Sequence, residues 1–193
     1  MEKFDKLTAH LIPLNLDNVD TDMIIPAVHL KSISKSGYGG GLFSALRTMY
    51  PDFILNNSAY KNGKILISKT NFGCGSSREH AVWALTQYGI KAVVCSSFSD
   101  IFFNNSAKNG LLLIKMPEDL IDNWIAASLN DPTLEMTLDL PNQTISMLGH
   151  THTFDYDPYN KHCLVNGHDD LDYLLSCAEE IKKYEEKNSN TPR

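Results

Sequence analysis

The feature that most constrains the fold is an alternation of short apolar runs and helical segments between residues 64 and 116. The runs KILISKT (64–70), KAVVCSS (91–97) and LLLIKM (111–116) are typical of buried strands. The segments between them, REHAVWALTQYG (78–89) and DIFFNNSAKNG (100–110), have helical patterns. Because parallel strands need a crossover connection, usually a helix, this order predicts β-α-β units with a parallel sheet.

Weaker patterns extend this core on both sides. They predict a strand at 6–16, a helix after Pro117, a β-meander over 134–157, a short helix at 159–167 and an acidic helix at 169–183. A chain of 193 residues is long enough for one well-buried core but short for two. The sequence therefore predicts a single α/β domain over residues 1–193, with a mixed sheet and flanking helices.

Two segments are expected to lack regular structure. Residues 31–41, KSISKSGYGGG, contain four glycines and three serines, which predicts a flexible functional loop. The polar end of the chain, residues 185–193, is expected to be a disordered tail.

The composition excludes several classes of protein. A formal charge of -6 argues against a nucleic-acid partner, because phosphate contacts need clustered Lys and Arg. The chain has no run of 18 apolar residues to cross a membrane, and its first residues lack the apolar stretch of a secretory signal, so we expect a cytoplasmic protein. Four cysteines stand far apart without a CxxC pair, so we expect no metal or cluster in this chain.

The segment NFGCGSSREHAVWAL (71–85) carries the strongest chemical signal. A glycine-containing loop between a strand and a helix presents unpaired backbone N–H groups in one direction. Ser76 and Ser77 add hydroxyl donors, and Arg78 offers a planar fork that matches a carboxylate. The segment predicts an anion site for a carboxylate or a phosphate.

Structural roles remain open for the same residues. Ser76 and Glu79 have the spacing of a capping box, so Ser76 could serve only to cap the helix, which Gly89 is placed to end. Cys74 and His80 suggest a thiol nucleophile with its base, although one helical turn would carry His80 away from the loop.

Two further polar clusters are candidate metal sites. Asp17, Asp20 and Asp22 alternate in DNVDTD, but turn and cap roles are favoured over metal binding, and Asp22 could instead orient Arg78 or Ser76. The histidines near the end of the chain are expected to be structural, and they are His150, His152 and His162.

Four stretches occur in an order that resembles a known family. They are DNVDTDMIIPA (17–27), NFGCGSSREHAVWAL (71–85), SFSDIFFNNSAKNGLL (97–112) and HCLVNG (162–167). Together they resemble the small subunits of isopropylmalate isomerase, a family of the aconitase superfamily. The resemblance runs from about Lys6 to Leu175 and implies a swivelling β/β/α domain that docks on a large subunit.

The resemblance also implies an activity and a division of labour. The large subunit of such enzymes carries a [4Fe-4S] cluster, so this chain is expected to bind no cofactor itself. The implied reaction is a hydro-lyase isomerisation of 2-isopropylmalate to 3-isopropylmalate, by dehydration and rehydration, in leucine biosynthesis. Matched by motif, Ser76 corresponds to the catalytic base, Arg78 to the clamp on a substrate carboxylate, Ser77 to a supporting donor and Asp22 to an acid beside the base.

Substrate choice in this family is attributed to the loop after IIPA, which here begins with Val28, His29, Leu30 and Lys31. Many relatives carry Arg and an aromatic residue where this chain has Val28 and His29. The same chemistry on homoaconitate, citraconate or a methyl-substituted malate therefore stays open. Two other classes of protein also stay open, namely a stand-alone anion-binding module and a thiol enzyme built on Cys74.

Overall fold

The computed structural model describes residues 1–30 and 36–188, and in this part of the chain seven strands form one sheet. The strand order is β4-β3-β2-β1-β5-β6-β7, with parallel pairing from β1 to β4 and antiparallel pairing from β1 through β5 to β7. The strands are β1 (Lys6–Leu14), β2 (Ile65–Ser68), β3 (Ala92–Cys95), β4 (Leu112–Lys115), β5 (Glu135–Asp139), β6 (Thr144–Met147) and β7 (His150–Thr153). The predicted mixed α/β fold class is confirmed.

Helices connect and cover these strands. They are α1 (Thr21–Ile24), α2 (Ser44–Met49), α3 (Glu79–Tyr88), α4 (Asp100–Lys108), α5 (Glu118–Asn130), α6 (Pro158–Asn166), α7 (Asp170–Ser176) and α8 (Ala178–Asn188). Short 3-10 turns lie at Ala27–His29, Tyr38–Gly41, Ile54–Asn56 and Ser58–Tyr60. None of the helices in the described ranges is long and apolar enough to cross a bilayer.

The prediction of one acidic helix over 169–183 is wrong, because two helices cover this stretch. Asp169 and Asp172 form a capping box that begins α7. The backbone of Cys177 then leaves helical geometry, with a ψ of 7°, and its N–H bonds to carbonyls of the last turn of α7. An acidic helical composition continues on both sides of Cys177, so the sequence pattern gave no sign of the break.

The central strands are buried on both faces of the sheet. Leu66 packs in the cluster that contains the apolar faces of α3 and α4. Ile65 and Ile67 point the other way, into the cluster formed with α5 and α6. Burial on both faces explains why the parallel strands appear in the sequence as continuous apolar runs instead of alternating ones.

The carboxyl ends of the parallel strands meet at one edge of the sheet, and the loops that follow β1, β2 and β3 lie beside one another there. Isolated parallel bridges join Asp20 to Cys74 and Phe72 to Phe98, beyond the ends of the regular strands. In open α/β sheets this edge is where ligands bind. The fold therefore brings together the two segments that the sequence analysis marks as candidate sites, 17–22 and 71–78.

Part of the glycine-rich segment 31–41 is packed on α3. Tyr38 is buried, and its N–H donates to Oε1 of Gln87 at 2.8 Å. A Cβ atom at Gly39 would lie 2.7 Å from the carbonyl carbon of Gln87, so only glycine permits this close approach. Residues 31–35 and 189–193 lie outside the described residues, and the flexibility of the loop and the disorder of the tail remain predictions.

Gly73 gives a stability test of the turn that carries the site. Its φ is 74°, and an added Cβ would lie 2.2 Å from Cγ of Phe102. We expect Gly73→Ala to lower the free energy of unfolding by about 2 kcal/mol or more, since it combines a left-handed backbone with overpacking. Urea unfolding measures this loss. Gly40→Ala, at a position with open space and no positive φ, is the control, and equal losses in both variants would contradict the explanation.

Candidate active site

The loop between β2 and α3 reverses direction through three residues with positive φ. They are Asn71 (59°), Gly73 (74°) and Gly75 (87°). Phe72 is fully buried between these turns, and its ring contacts the rings of Phe98 and Phe102. With the base of the loop held in the core, the next residues, Gly75, Ser76 and Ser77, are exposed at the edge of the sheet.

The segment before α1 is hydrogen-bonded along this loop. The N–H of Gly73 donates to the carbonyl of Val19 at 2.7 Å, and the N–H of Thr21 donates to the carbonyl of Cys74 at 3.0 Å. The buried hydroxyl of Thr21 also donates to the carbonyl of Ser76 at 3.2 Å. Sequence reasoning missed Thr21, because a threonine inside DNVDTD has no pattern that marks it as a link to a distant loop.

These bonds bring Asp22 next to Arg78. Nη1 of Arg78 donates to Oδ1 of Asp22, and the arginine side chain is 27% exposed while the aspartate side chain is 58% exposed. The structure thus places Asp22 where the sequence hypothesis expected it, against the guanidinium. In the described residues this is the one hydrogen bond made by the Arg78 side chain, which leaves its other N–H groups for a ligand.

The other two acids of DNVDTD make structural hydrogen bonds. Oδ1 of Asp20 accepts from the N–H of Met23 at 2.7 Å and caps α1, whereas Oδ1 of Asp17 accepts from the N–H of Thr70 at 3.2 Å. The predicted cap role is therefore confirmed for Asp20, and the bond of Asp17 joins two distant segments instead of closing a turn. Over residues 1–30 and 36–188, no three His, Cys, Asp or Glu side chains are grouped as metal ligands.

The predicted capping box at Ser76 and Glu79 is wrong. The N–H of Arg78 bonds back to the carbonyl of Ser76 at 2.8 Å, and this tight turn delays the start of α3 until Glu79. Arg78 becomes the N-cap residue and makes no side-chain capping bond. Gly89 ends the helix as predicted, with a φ of 110°.

The missing cap leaves several donors open at one point. In the described chain, the hydroxyl of Ser76 and the backbone N–H groups of Ser76 and Ser77 make no hydrogen bond. The positive end of the α3 dipole and the Arg78 guanidinium lie beside them, and both favour negative charge. This arrangement can bind a carboxylate and can stabilise an oxyanion.

Comparison with known proteins identifies the family. The model of the aconitase C-terminal domain matches residues 1–119. A protein named 3-isopropylmalate dehydratase small subunit from Francisella tularensis subsp. novicida (strain U112) is 52% identical over 96% of this chain and 98% of its own length. The chain belongs to the 3-isopropylmalate dehydratase small-subunit family.

Other relatives match this chain over a similar share of its length. The protein of that name from Rhodospirillum centenum is 50% identical over 96% of this chain and 94% of its own length. The crystal structure of a 3-isopropylmalate dehydratase from Methanocaldococcus jannaschii superposes with a TM-score of 0.67 at 25% identity, covering 93% of this chain and 99% of that one. The likeness therefore extends over nearly the full length of this chain.

The segment that the resemblance marks as the specificity loop of small subunits begins in the turn Ala27–His29. Val28 is 69% exposed, whereas Leu30 packs against the core. The His29 ring lies over Gly41, and its Nε2 is 2.8 Å from Oγ of Ser44. Lys31 lies outside the described residues.

The late histidines of this family member lie in structural contacts. His150 and His152 are in β7, and the His152 ring packs against Trp124 at 5.9 Å between centroids. His162 in α6 lies against the rings of His168 and Tyr173. These contacts agree with the structural role expected for His152 and His162, and His150 is an exposed residue of β7.

A thiol enzyme in this fold would need an activated Cys74, and the geometry opposes it. Burial, and then the negative charge of Asp20, raise the pKa of the Cys74 thiol. The His80 ring packs against Tyr38 and Trp83 at 5.2 and 4.8 Å between centroids. Cys74 therefore stays a protonated thiol near neutral pH, without the depressed pKa that reactive cysteines have.

This raised pKa predicts slow alkylation of Cys74. In a Cys177→Ser variant near neutral pH, we expect iodoacetamide to modify Cys74 more slowly in the folded chain than in the urea-unfolded chain. The rate in the folded chain should rise only as the pH passes the raised pKa, because the thiolate is the nucleophile. Mass spectrometry of the peptide that contains Cys74 gives both rates. If the alkylation rate had a lower pH midpoint in the folded chain than in the unfolded one, the prediction would be contradicted.

Proposed function

We propose that this chain is the small subunit of a heteromeric hydro-lyase that isomerises 2-isopropylmalate to 3-isopropylmalate in leucine biosynthesis, in the cytoplasm. The names of its relatives support the reaction and the subunit role. The observation that carries the proposal is the unengaged Ser76 hydroxyl at the exposed start of α3, beside the guanidinium of Arg78.

Ser76 acts as the base in this proposal. Its Oγ takes the proton from the carbon next to a substrate carboxylate while the hydroxyl leaves the neighbouring carbon, and the alkene forms between them. In the rehydration, a hydroxyl from water adds to the first carbon and Ser76 returns its proton to the second. A serine hydroxyl is a very weak acid, so its oxyanion needs strong stabilisation before it can act in this way. In this proposal that stabilisation comes from the open N–H groups of Ser76 and Ser77, the α3 dipole and the Arg78 charge, which all belong to the same short segment.

Arg78 holds the carboxylate next to the reacting carbon. Asp22 accepts one of its N–H groups and so fixes the plane of the guanidinium, while the remaining N–H groups present a fork to the substrate. Ser77 is a supporting donor from the same exposed turn. The carboxylate is thereby held at a fixed distance from Ser76, which is the condition for fast proton abstraction.

A large subunit completes this site. Ser76, Ser77 and Asp22 are exposed, so this chain alone does not exclude water from the reacting carbon. The cysteines of this chain do not fit an iron–sulfur cluster, because Cys95 and Cys163 are buried apart from the site and no three ligands are grouped in residues 1–30 and 36–188. A [4Fe-4S] cluster held by the large subunit would supply the Lewis acid for the leaving hydroxyl.

Ser76→Ala tests the base. We expect the reconstituted complex to lose about 1,000-fold or more of its kcat while the two subunits still assemble, because the hydroxyl is exposed and supports no packing. Steady-state kinetics with 2-isopropylmalate and gel filtration measure the two properties. Ser58→Ala, at another exposed serine, is the control. Turnover near the wild-type rate in Ser76→Ala would remove Ser76 from this role.

Arg78→Lys tests the clamp. We expect KM for 2-isopropylmalate to rise by about tenfold or more, since a lysine keeps the charge but loses the planar fork. Arg47→Lys, at an arginine whose Nε donates to Asn56 at 3.3 Å, is the matched control and should leave KM unchanged. An unchanged KM in Arg78→Lys is the outcome that refutes carboxylate binding by this residue.

The reconstituted complex also tests which side chain the preferred substrate carries. A panel of 2-isopropylmalate, homoaconitate, citraconate and a methyl-substituted malate compares kcat/KM for each compound. The exposed apolar side chain of Val28 supports a branched alkyl group as the preferred one. One hydrophobic contact changes such ratios by only about 10- to 200-fold, so the whole panel is needed.

A further inference from the structure

We propose that Asn109 is a positioning residue that holds the first turn of α3 in place of the missing N-cap, and so leaves the Ser76 hydroxyl free to react. This inference rests on the proposed function of Ser76. It concerns a residue at the end of α4 that makes no hydrogen bond to Ser76 or Arg78 in the described structure.

The amide of Asn109 joins two residues of α3. Its Nδ2 donates to Oε1 of Glu79 at 2.8 Å, and its Oδ1 accepts from Nε1 of Trp83 at 2.9 Å. Glu79 and Trp83 are four residues apart and so lie on one face of the helix. A side chain that binds both must offer a donor and an acceptor, and asparagine does so.

Asn109 is itself fixed to α4. Its Nδ2 also donates to the carbonyl of Asn105 at 2.8 Å, and its N–H bonds to the carbonyl of Ser106 at 3.1 Å. At the other end of α4, the N-cap residue Ser99 donates its hydroxyl to the carbonyl of Gly73 at 2.6 Å. Helix α4 therefore holds the catalytic loop at its base and, through Asn109, at its exit into α3.

The contact between Asn109 and Glu79 matters because α3 has no side-chain N-cap bond. Helix ends fray when their first N–H groups have no partner, and Ser, Thr, Asp or Asn normally caps them. Here Glu79 follows Arg78 directly, so movement of the first turn moves the guanidinium and the serine with it. A bond from α4 to Glu79 restrains that turn without using the Ser76 hydroxyl.

A cycle of variants tests the idea in the reconstituted complex. We expect Asn109→Asp to lower kcat by about tenfold, because the introduced carboxylate faces Glu79 and the turn shifts. Glu79→Gln alone should stay within about twofold of wild type, since the new amide still accepts from Asn109. Combining the two should recover most of the lost kcat, because the new amide then donates to the new carboxylate, while the bond to the Asn105 carbonyl stays lost.

Asn109→Leu separates the hydrogen bond from charge. It removes both bonds without adding a charge, so its kcat should fall by a similar factor, and Glu79→Gln should not rescue it. Asn104→Asp, at an exposed position of α4, adds the same charge elsewhere and should leave kcat unchanged. All rates are taken well below each variant's unfolding temperature, so that a loss of folded protein does not lower them.

The possible results distinguish failure of the positioning role from failure of the proposed function. Wild-type kcat in Asn109→Asp, or no rescue in the double variant, overturns the positioning role. If the wild-type complex turns over none of the malate derivatives, the proposed function fails instead. The same cycle is then read from urea unfolding of this chain, where rescue of Asn109→Asp by Glu79→Gln supports the clamp and strictly additive losses refute it.

Discussion

The site depends on a short set of hydrogen bonds between two loops that are about fifty residues apart in sequence. Val19 and Thr21 pair with Gly73, Cys74 and Ser76, and this continues the parallel pairing of β1 and β2 past the ends of the strands. Because these bonds fix the backbone before α1, Asp22 meets Arg78 without any covalent or metal link. The positive φ of Gly73 and Gly75 is what lets the second loop follow the first.

The start of α3 leaves a serine hydroxyl unengaged, as the proposed role of Ser76 requires. A serine in the usual capping position would accept a hydrogen bond from a backbone N–H, and its oxygen would then be unavailable as a base. Here the tight turn between Ser76 and Arg78 shifts the helix start, and lateral contacts restrain the first turn. Tyr38 packs on His80, and Asn109 bonds to Glu79.

The sequence predicted the parts of the fold that follow from local patterns. Strand runs such as Ile65–Ser68 and the end of α3 at Gly89 could be read from residue types and spacing, whereas the anion-binding character of Ser76–Arg78 stays a prediction. The missed features are tertiary. The capping box failed because a bond from the N–H of Arg78 to the carbonyl of Ser76 competes with it, and the link through Thr21 and the packing of Tyr38 on α3 depend on distant segments.

The contact between His29 and Gly41 limits how substrate preference can change. A Cβ atom at position 41 would lie 2.8 Å from the imidazole Cγ and 2.8 Å from Cδ1 of Ile25, so a side chain there collides with the ring that opens the loop. Redesign of position 29 toward a larger ring must therefore keep glycine at 41, and a side chain at 41 requires a small residue at 29. A side chain at position 41 and a ring at position 29 therefore exclude each other in the loop that is proposed to face the substrate.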